Sequence, residues 1–132
     1  MNFLDKDLRS FLLHESSIKS IDCEKGQIIL NFNKGFYNEN HIQQTNCKTI
    51  IKIKHLEMSN IDCFMSVLEL GKTIKKSRNF SRLQKMLKKC ECYIESEYYS
   101  EFERALLIVG YINYKLIYIK ITDIDMILFE CE

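Results

Sequence analysis

Residues 105–131 decide the fold: Ala105 to Ile112 reads ALLIVGYI, Tyr114 to Thr122 reads YKLIYIKIT and Met126 to Cys131 reads MILFEC. The first run is almost wholly apolar, as a central strand covered on both faces requires. The second places Leu116, Tyr118 and Lys120 on one side and Ile117, Ile119 and Ile121 on the other, the period of a strand. Asn113 supplies a tight turn between them, and Asp123-Ile124-Asp125 breaks the pattern before a last strand. Successive strands with short connections predict an antiparallel meander.

Upstream the same period recurs. Cys90, Cys92 and Ile94 alternate with Glu91, Tyr93 and Glu95 in a strand over 90–96. Cys47 to His55 sets Thr49, Ile51, Ile53 and His55 against Lys48, Ile50, Lys52 and Lys54, and Ile61 to Glu69 follows as a further strand, with a pattern that a helix also satisfies. Ile18 to Cys23 and Gln27 to Asn33 flank Glu24-Lys25-Gly26, a hairpin whose glycine takes the positive φ of the turn. Two segments have helical period instead. Phe3, Leu4, Leu8, Phe11 and Leu12 predict an N-terminal helix over about 2–14, and Phe80, Leu83, Met86, Leu87 and Cys90 a second one opened by Ser77 or Asn79. The fold class is therefore α+β: an antiparallel meander of about six or seven strands with an N-terminal helix and one inserted helix. Ile51, Ile53, Leu106, Ile108, Ile117 and Ile119 are expected in its core.

The chain has 132 residues, 46% hydrophobic and 28% charged, with no Pro and no Trp. That is one globular domain over 1–132, with no linker composition inside it. No apolar run approaches the roughly 20 residues of a membrane span. Acids at Asp5 and Asp7 sit where an export signal needs positive charge. Six cysteines at irregular positions then read as reduced thiols of a cytoplasmic protein. They supply no Cys-x-x-Cys pair, and the three histidines are scattered, so neither metal nor cofactor is expected. There is no Gly-rich phosphate loop and no nucleophile with an adjacent base, which points away from an enzyme.

Charge is distributed unevenly. Between Leu70 and Cys90 there are eight basic residues and no acid, while Glu91 to Glu103 holds five acids and no base. The acidic stretch, with its aromatics, suggests a partner-binding surface of Glu95, Glu97, Tyr98, Tyr99, Glu101 and Phe102. The basic segment 72–89, read as a helix, offers an alternative patch of Lys75, Lys76, Arg78, Arg82, Lys85 and Lys88 for nucleic acid or another anion. A bland reading competes with both: two solvated faces that neutralise each other within one molecule. A further aromatic group, Phe36, Tyr37 and His41, falls in a polar segment read as a loop.

The chain resembles the small immunity proteins of bacterial polymorphic toxin systems. The resemblance lies in the N-terminal helix, the Cys23-Glu24-Lys25-Gly26-Gln27 hairpin, the Gly35-Phe36-Tyr37 loop and the closing segment Ile121 to Glu130. It implies a non-catalytic protein that binds a cognate toxin domain stoichiometrically and blocks it. Many such inhibitors are clearly acidic, whereas this chain has a net charge of +1. Only the Glu91–Glu103 stretch resembles them in charge.

Overall fold

Lys25 and Gly26 both adopt positive φ, +48° and +73°, so the chain reverses within two residues. A turn of this kind matches the right-handed twist of the strands it joins. The computed structural model describes residues 11–13, 15–32, 37–38, 47–53, 60–66, 74–77, 80–113 and 115–131. Their elements in chain order are β1 (Phe11–Leu12), β2 (Ser17–Glu24), β3 (Gln27–Phe32), β4 (Tyr37–Asn38), β5 (Cys47–Ile53), β6 (Ile61–Ser66), β7 (Ile74–Ser77), α1 (Phe80–Lys89), β8 (Cys92–Ser100), β9 (Ala105–Ile112), β10 (Lys115–Ile121) and β11 (Ile124–Cys131).

Nine strands form one sheet in the order β11-β5-β3-β2-β8-β9-β10-β6-β7, and β1 pairs with β4 apart from it. Every pairing is antiparallel. The order forces the sheet to roll. β10 and β11 stand six places apart in it. On a flat sheet that is about 29 Å at roughly 4.8 Å per strand. Yet only Thr122 and Asp123 connect Ile121 to Ile124, and three Cα steps reach at most about 11 Å.

Hydrogen bonds fasten this corner. Arg104, in the β8–β9 turn, donates from Nε to Ile124 O at 2.7 Å and from Nη2 to Asp125 O at 2.6 Å. Ile124 N donates to Arg104 O at 3.0 Å. Asn60 accepts from Thr122 N at 2.9 Å through its carbonyl and donates from Nδ2 to Asp123 Oδ2 at 3.0 Å.

The core lies inside the roll. Ile51, Ile53, Leu106, Ile108, Ile117 and Ile119 are all buried, as their alternation predicts. α1 lays Phe80, Leu83 and Leu87 onto it and packs against β2 and β6. β2 pairs with β8 only through Ser17 and Ile18. Beyond that point α1 lies against β2, and Gln84 Nε2 donates to Ile21 O at 2.9 Å.

Several expectations need correction. Among the described residues there is one helix. Phe11–Leu12, placed at the end of an N-terminal helix, is a strand paired with Tyr37–Asn38, and residues 2–10 lie outside the described ones. An apolar run at helical spacing also satisfies an extended segment whose partner is distant in sequence. Phe36 and His41 lie outside the described residues as well. The basic segment 72–89 is not one helix: Lys75 and Lys76 belong to β7, an outermost strand paired with β6, and α1 starts at Phe80. Lysines are common on sheet edges, where they discourage further pairing. β8 runs to Ser100 rather than Ser96, and β11 starts at Ile124 rather than Met126.

The reading of six reduced thiols is also overturned, because Cys47 is disulfide-bonded. Cys131 is the residue opposite it in the β5–β11 ladder, a register that spacing along the chain does not reveal. Cys23, Cys63, Cys90 and Cys92 remain thiols. The cysteines therefore no longer support a cytoplasmic location. Among the described residues no helix is long and apolar enough to cross a membrane.

Candidate functional site

β8 carries the acidic stretch, and one irregularity decides what it presents. Its ladder with β9 slips between Ile94 and Ser96, so an extra residue bends the strand and shifts its alternation. Before the slip Cys92 and Ile94 are buried, while Tyr93 and Glu95 are exposed. After it Glu97 stands opposite Ile108 and Tyr99 opposite Leu106. Both β9 residues are fully buried, so Glu97 and Tyr99 face inward. Tyr98 faces outward, 58% exposed.

The six residues grouped from sequence thus divide. Glu95, Tyr98, Glu101 and Phe102 are exposed, and Glu97 and Tyr99 are turned away from them. Glu97 Oε1 accepts from Leu13 N at 3.1 Å, which ties the N-terminal arm to β8. Burial pushes the Tyr99 hydroxyl far above its ordinary value, and the nearby Glu97 carboxylate adds to the shift.

The turn after β8 carries the most exposed large hydrophobic side chain among the described residues. Phe102 is 98% exposed, between Glu101 and Glu103. Its conformation is fixed from both sides. Glu103 N donates to Ser100 Oγ at 3.1 Å, and Arg104, at φ +51°, is bound to β11 as described. An exposed Phe on a held turn loses little freedom when a partner buries it.

Alternation along β9 and β10 brings tyrosines to the same outer face. Tyr93 is paired with Tyr111, and Tyr118 with Val109 in the next row. Tyr111 donates a side-chain hydrogen bond to Glu95, which raises its hydroxyl above the ordinary value together with the Glu95 charge. Sequence reasoning missed Tyr93, Glu103, Tyr111 and Tyr118. Their positions on three successive strands were visible, but the register across the β8 bulge was not.

The basic residues also divide. Arg82, Lys85, Lys88 and Lys89 are exposed on α1, while Lys75 and Lys76 lie on β7 and Arg78 is outside the described residues. A cleft of about 260 Å³ between α1 and β2 is lined by Lys19, Ser20, Ile21, Asp22, Gln84, Leu87 and Lys88. Burial pushes the Cys92 thiol up to about 12, with Cys90 and then Cys63 adding to it, so these thiols lie together and Cys92 is a poor nucleophile at neutral pH. Among the described residues no group of three or more His, Cys, Asp or Glu is arranged to hold a metal ion. Comparison of the chain with protein-family models, with curated proteins and with solved structures returns no match.

Proposed function

We propose that this chain is a non-catalytic protein-binding domain that neutralises a toxin domain by stoichiometric association, through the outer face of β8 and the turn that follows it. The observation that supports the reading is Phe102, 98% exposed between two glutamates on a turn fixed by hydrogen bonds. A solvated Phe contributes about 1.5–3 kcal/mol when a partner pocket buries it. Glu95, Glu101 and Glu103 add one sign of charge around it, which favours a partner with a basic rim and speeds encounter. A toxin acting on nucleic acid has such a groove, and the immunity-protein resemblance implies that class of partner.

A pull-down from the source cell, followed by binding kinetics, tests this. Phe102→Ala should leave stability within about 0.5 kcal/mol and weaken binding by about thirtyfold or more, as truncation of a central anchor does. Glu101→Lys with Glu103→Lys should chiefly slow association. A partner that binds all these variants as tightly and as fast as the wild type refutes the proposed surface.

The exposed cations of α1 favour a second reading, a module for nucleic acid or another anion. Salt-sensitive co-purification of nucleic acid, lost on reversing Arg82 and Lys85 and with no protein recovered, would put that reading first.

A further inference from the structure

We propose that the outer face of β8, β9 and β10 holds a receptor for a guanidinium group, formed by Glu95 with Tyr93, Tyr111 and Tyr118, and occupied by an arginine side chain of the protein partner. That the occupant belongs to a protein rests on the function proposed above; the preference for guanidinium does not.

The pairing registers place the four residues together. Tyr93 stands opposite Tyr111, and Tyr111 opposite Leu116. Tyr118, opposite Val109, is the diagonal neighbour of Tyr111. Such neighbours lie about 7–8 Å apart, within reach of aromatic side chains. Glu95 is the residue left out of the ladder where β8 slips, and it is exposed. Its carboxylate lies near enough to the Tyr111 hydroxyl to raise it above its ordinary value.

A carboxylate among tyrosines selects its ligand by charge and shape. The ring faces carry negative quadrupole potential and attract cations. The carboxylate accepts two parallel N–H donors, and a planar guanidinium supplies them while stacking on an aromatic face. A phosphate or carboxylate ligand meets repulsion instead. The ion pairs among the described residues, Lys48–Glu130 at 3.3 Å and Arg104–Asp125 at 4.0 Å, involve other acids. Lys120, opposite Leu107, stands one row beyond Tyr118. Tyr93, 44% exposed, leaves one side of the group open to an incoming chain.

The test is a titration of the isotopically labelled protein with N-acetylarginine N-methylamide, with the citrulline counterpart as neutral isostere. The ring signals of Tyr93, Tyr111 and Tyr118 should shift saturably with the arginine probe and little with citrulline. Glu95→Gln should weaken the response about fivefold or more, and Tyr111→Phe by less, since it only releases the carboxylate. Equal responses to both probes, no shift at these rings, or an undiminished response in Glu95→Gln would overturn the assignment. The probe comparison on the wild type stands even if a variant folds poorly. No step depends on recovering a partner, so failure of this receptor and failure of the protein-binding function are read from different experiments.

Discussion

Substituting Gly110 by alanine tests the packing on which the outer face depends. Gly110 lies in β9 opposite Ile94, the last paired residue of β8 before its slip. A Cβ there would stand within 3.0 Å of the Tyr93 carbonyl oxygen and 3.1 Å from Cys92 Sγ. The first obstacle is backbone and cannot rotate away, so β8 must move from β9 at the bulge. Overpacking of a closed site costs about 1–3 kcal/mol. The upper half of that range applies where the blocking atom is main chain. Reduced freedom of the unfolded chain returns about 0.4–1 kcal/mol. The net loss is about 2 kcal/mol, or roughly 8 °C in Tm for a domain of this size. Urea denaturation with an unchanged slope reads it directly. Gly26→Ala is the control: its Cβ would meet only Ile53 O at 3.4 Å, so its cost is the strain of φ +73°, about 1 kcal/mol. A Gly110→Ala protein as stable as the wild type would refute the close approach of β8 and β9 and the bulge argument with it.

Other perturbations follow from the same contacts. Arg104→Ala removes charged donors from two β11 carbonyls and should cost about 2 kcal/mol in denaturation; a change below about 0.5 kcal/mol would mean the corner holds without it. Glu97→Lys puts a cation on the inner face and should lower stability by about 3 kcal/mol or more, whereas Glu101→Lys should leave the melting curve nearly in place; equal effects would place Glu97 outside. A non-reducing peptide map should return Cys47 linked to Cys131, and recovery of Cys47 as an alkylatable thiol would refute that pairing. Cys92 titrates near 9.0 unfolded and about 12 folded, so above pH 9 the unfolded state sheds its proton first and stability falls by up to about 1.4 kcal/mol per pH unit. Tyr99, raised from 10.0, adds to this fall above pH 10; a denaturation midpoint level from pH 8 to 11 would contradict both.

The strands of the sheet were legible wherever one face is apolar. Ile51, Ile53, Ile117 and Ile119 alternate because their neighbours face outward, whereas Ala105 to Ile112, expected to be covered on both faces, is central in the sheet but buried on one face only, with Leu107, Val109 and Tyr111 half-buried on the other. The hairpin at Lys25-Gly26 was legible because its turn needs positive φ. The order beyond the β2–β3 hairpin and the β8-β9-β10 meander was not, and the closing strand β11 lies beside β5 rather than β10. β5 joins β11, and β2 joins β8, through pairings far apart along the chain, and no local pattern encodes them. The same limit hid the disulfide of Cys47, whose opposite residue is 84 positions away. β7 was hidden for another reason: a short edge strand of Ile74-Lys75-Lys76-Ser77 has no apolar alternation to read.

The candidate site was half legible, and the bulge explains which half. Strict alternation from Tyr93 and Glu95 carries Glu97 and Tyr99 to the outer face, giving one continuous acidic and aromatic edge. The slip between Ile94 and Ser96 inverts that parity. It sends Tyr98 outward and brings Glu97 to the Leu13 amide, at a desolvation cost that the hydrogen bond partly offsets. Residue types mark a bulge poorly, but two conflicting demands can be seen around it. Cys92 and Ile94 must be inside, and Leu106 and Ile108 need partners on the same inner face of the next strand. Gly110 then leaves room for the carbonyl of the bent strand. The outcome separates two roles that the sequence runs together. Glu97 and Tyr99 hold the arm and the interior, while Glu95, Tyr98, Glu101, Phe102 and Glu103 remain exposed. Evidence for binding must therefore come from the second group, because changes in the first alter the fold that presents it.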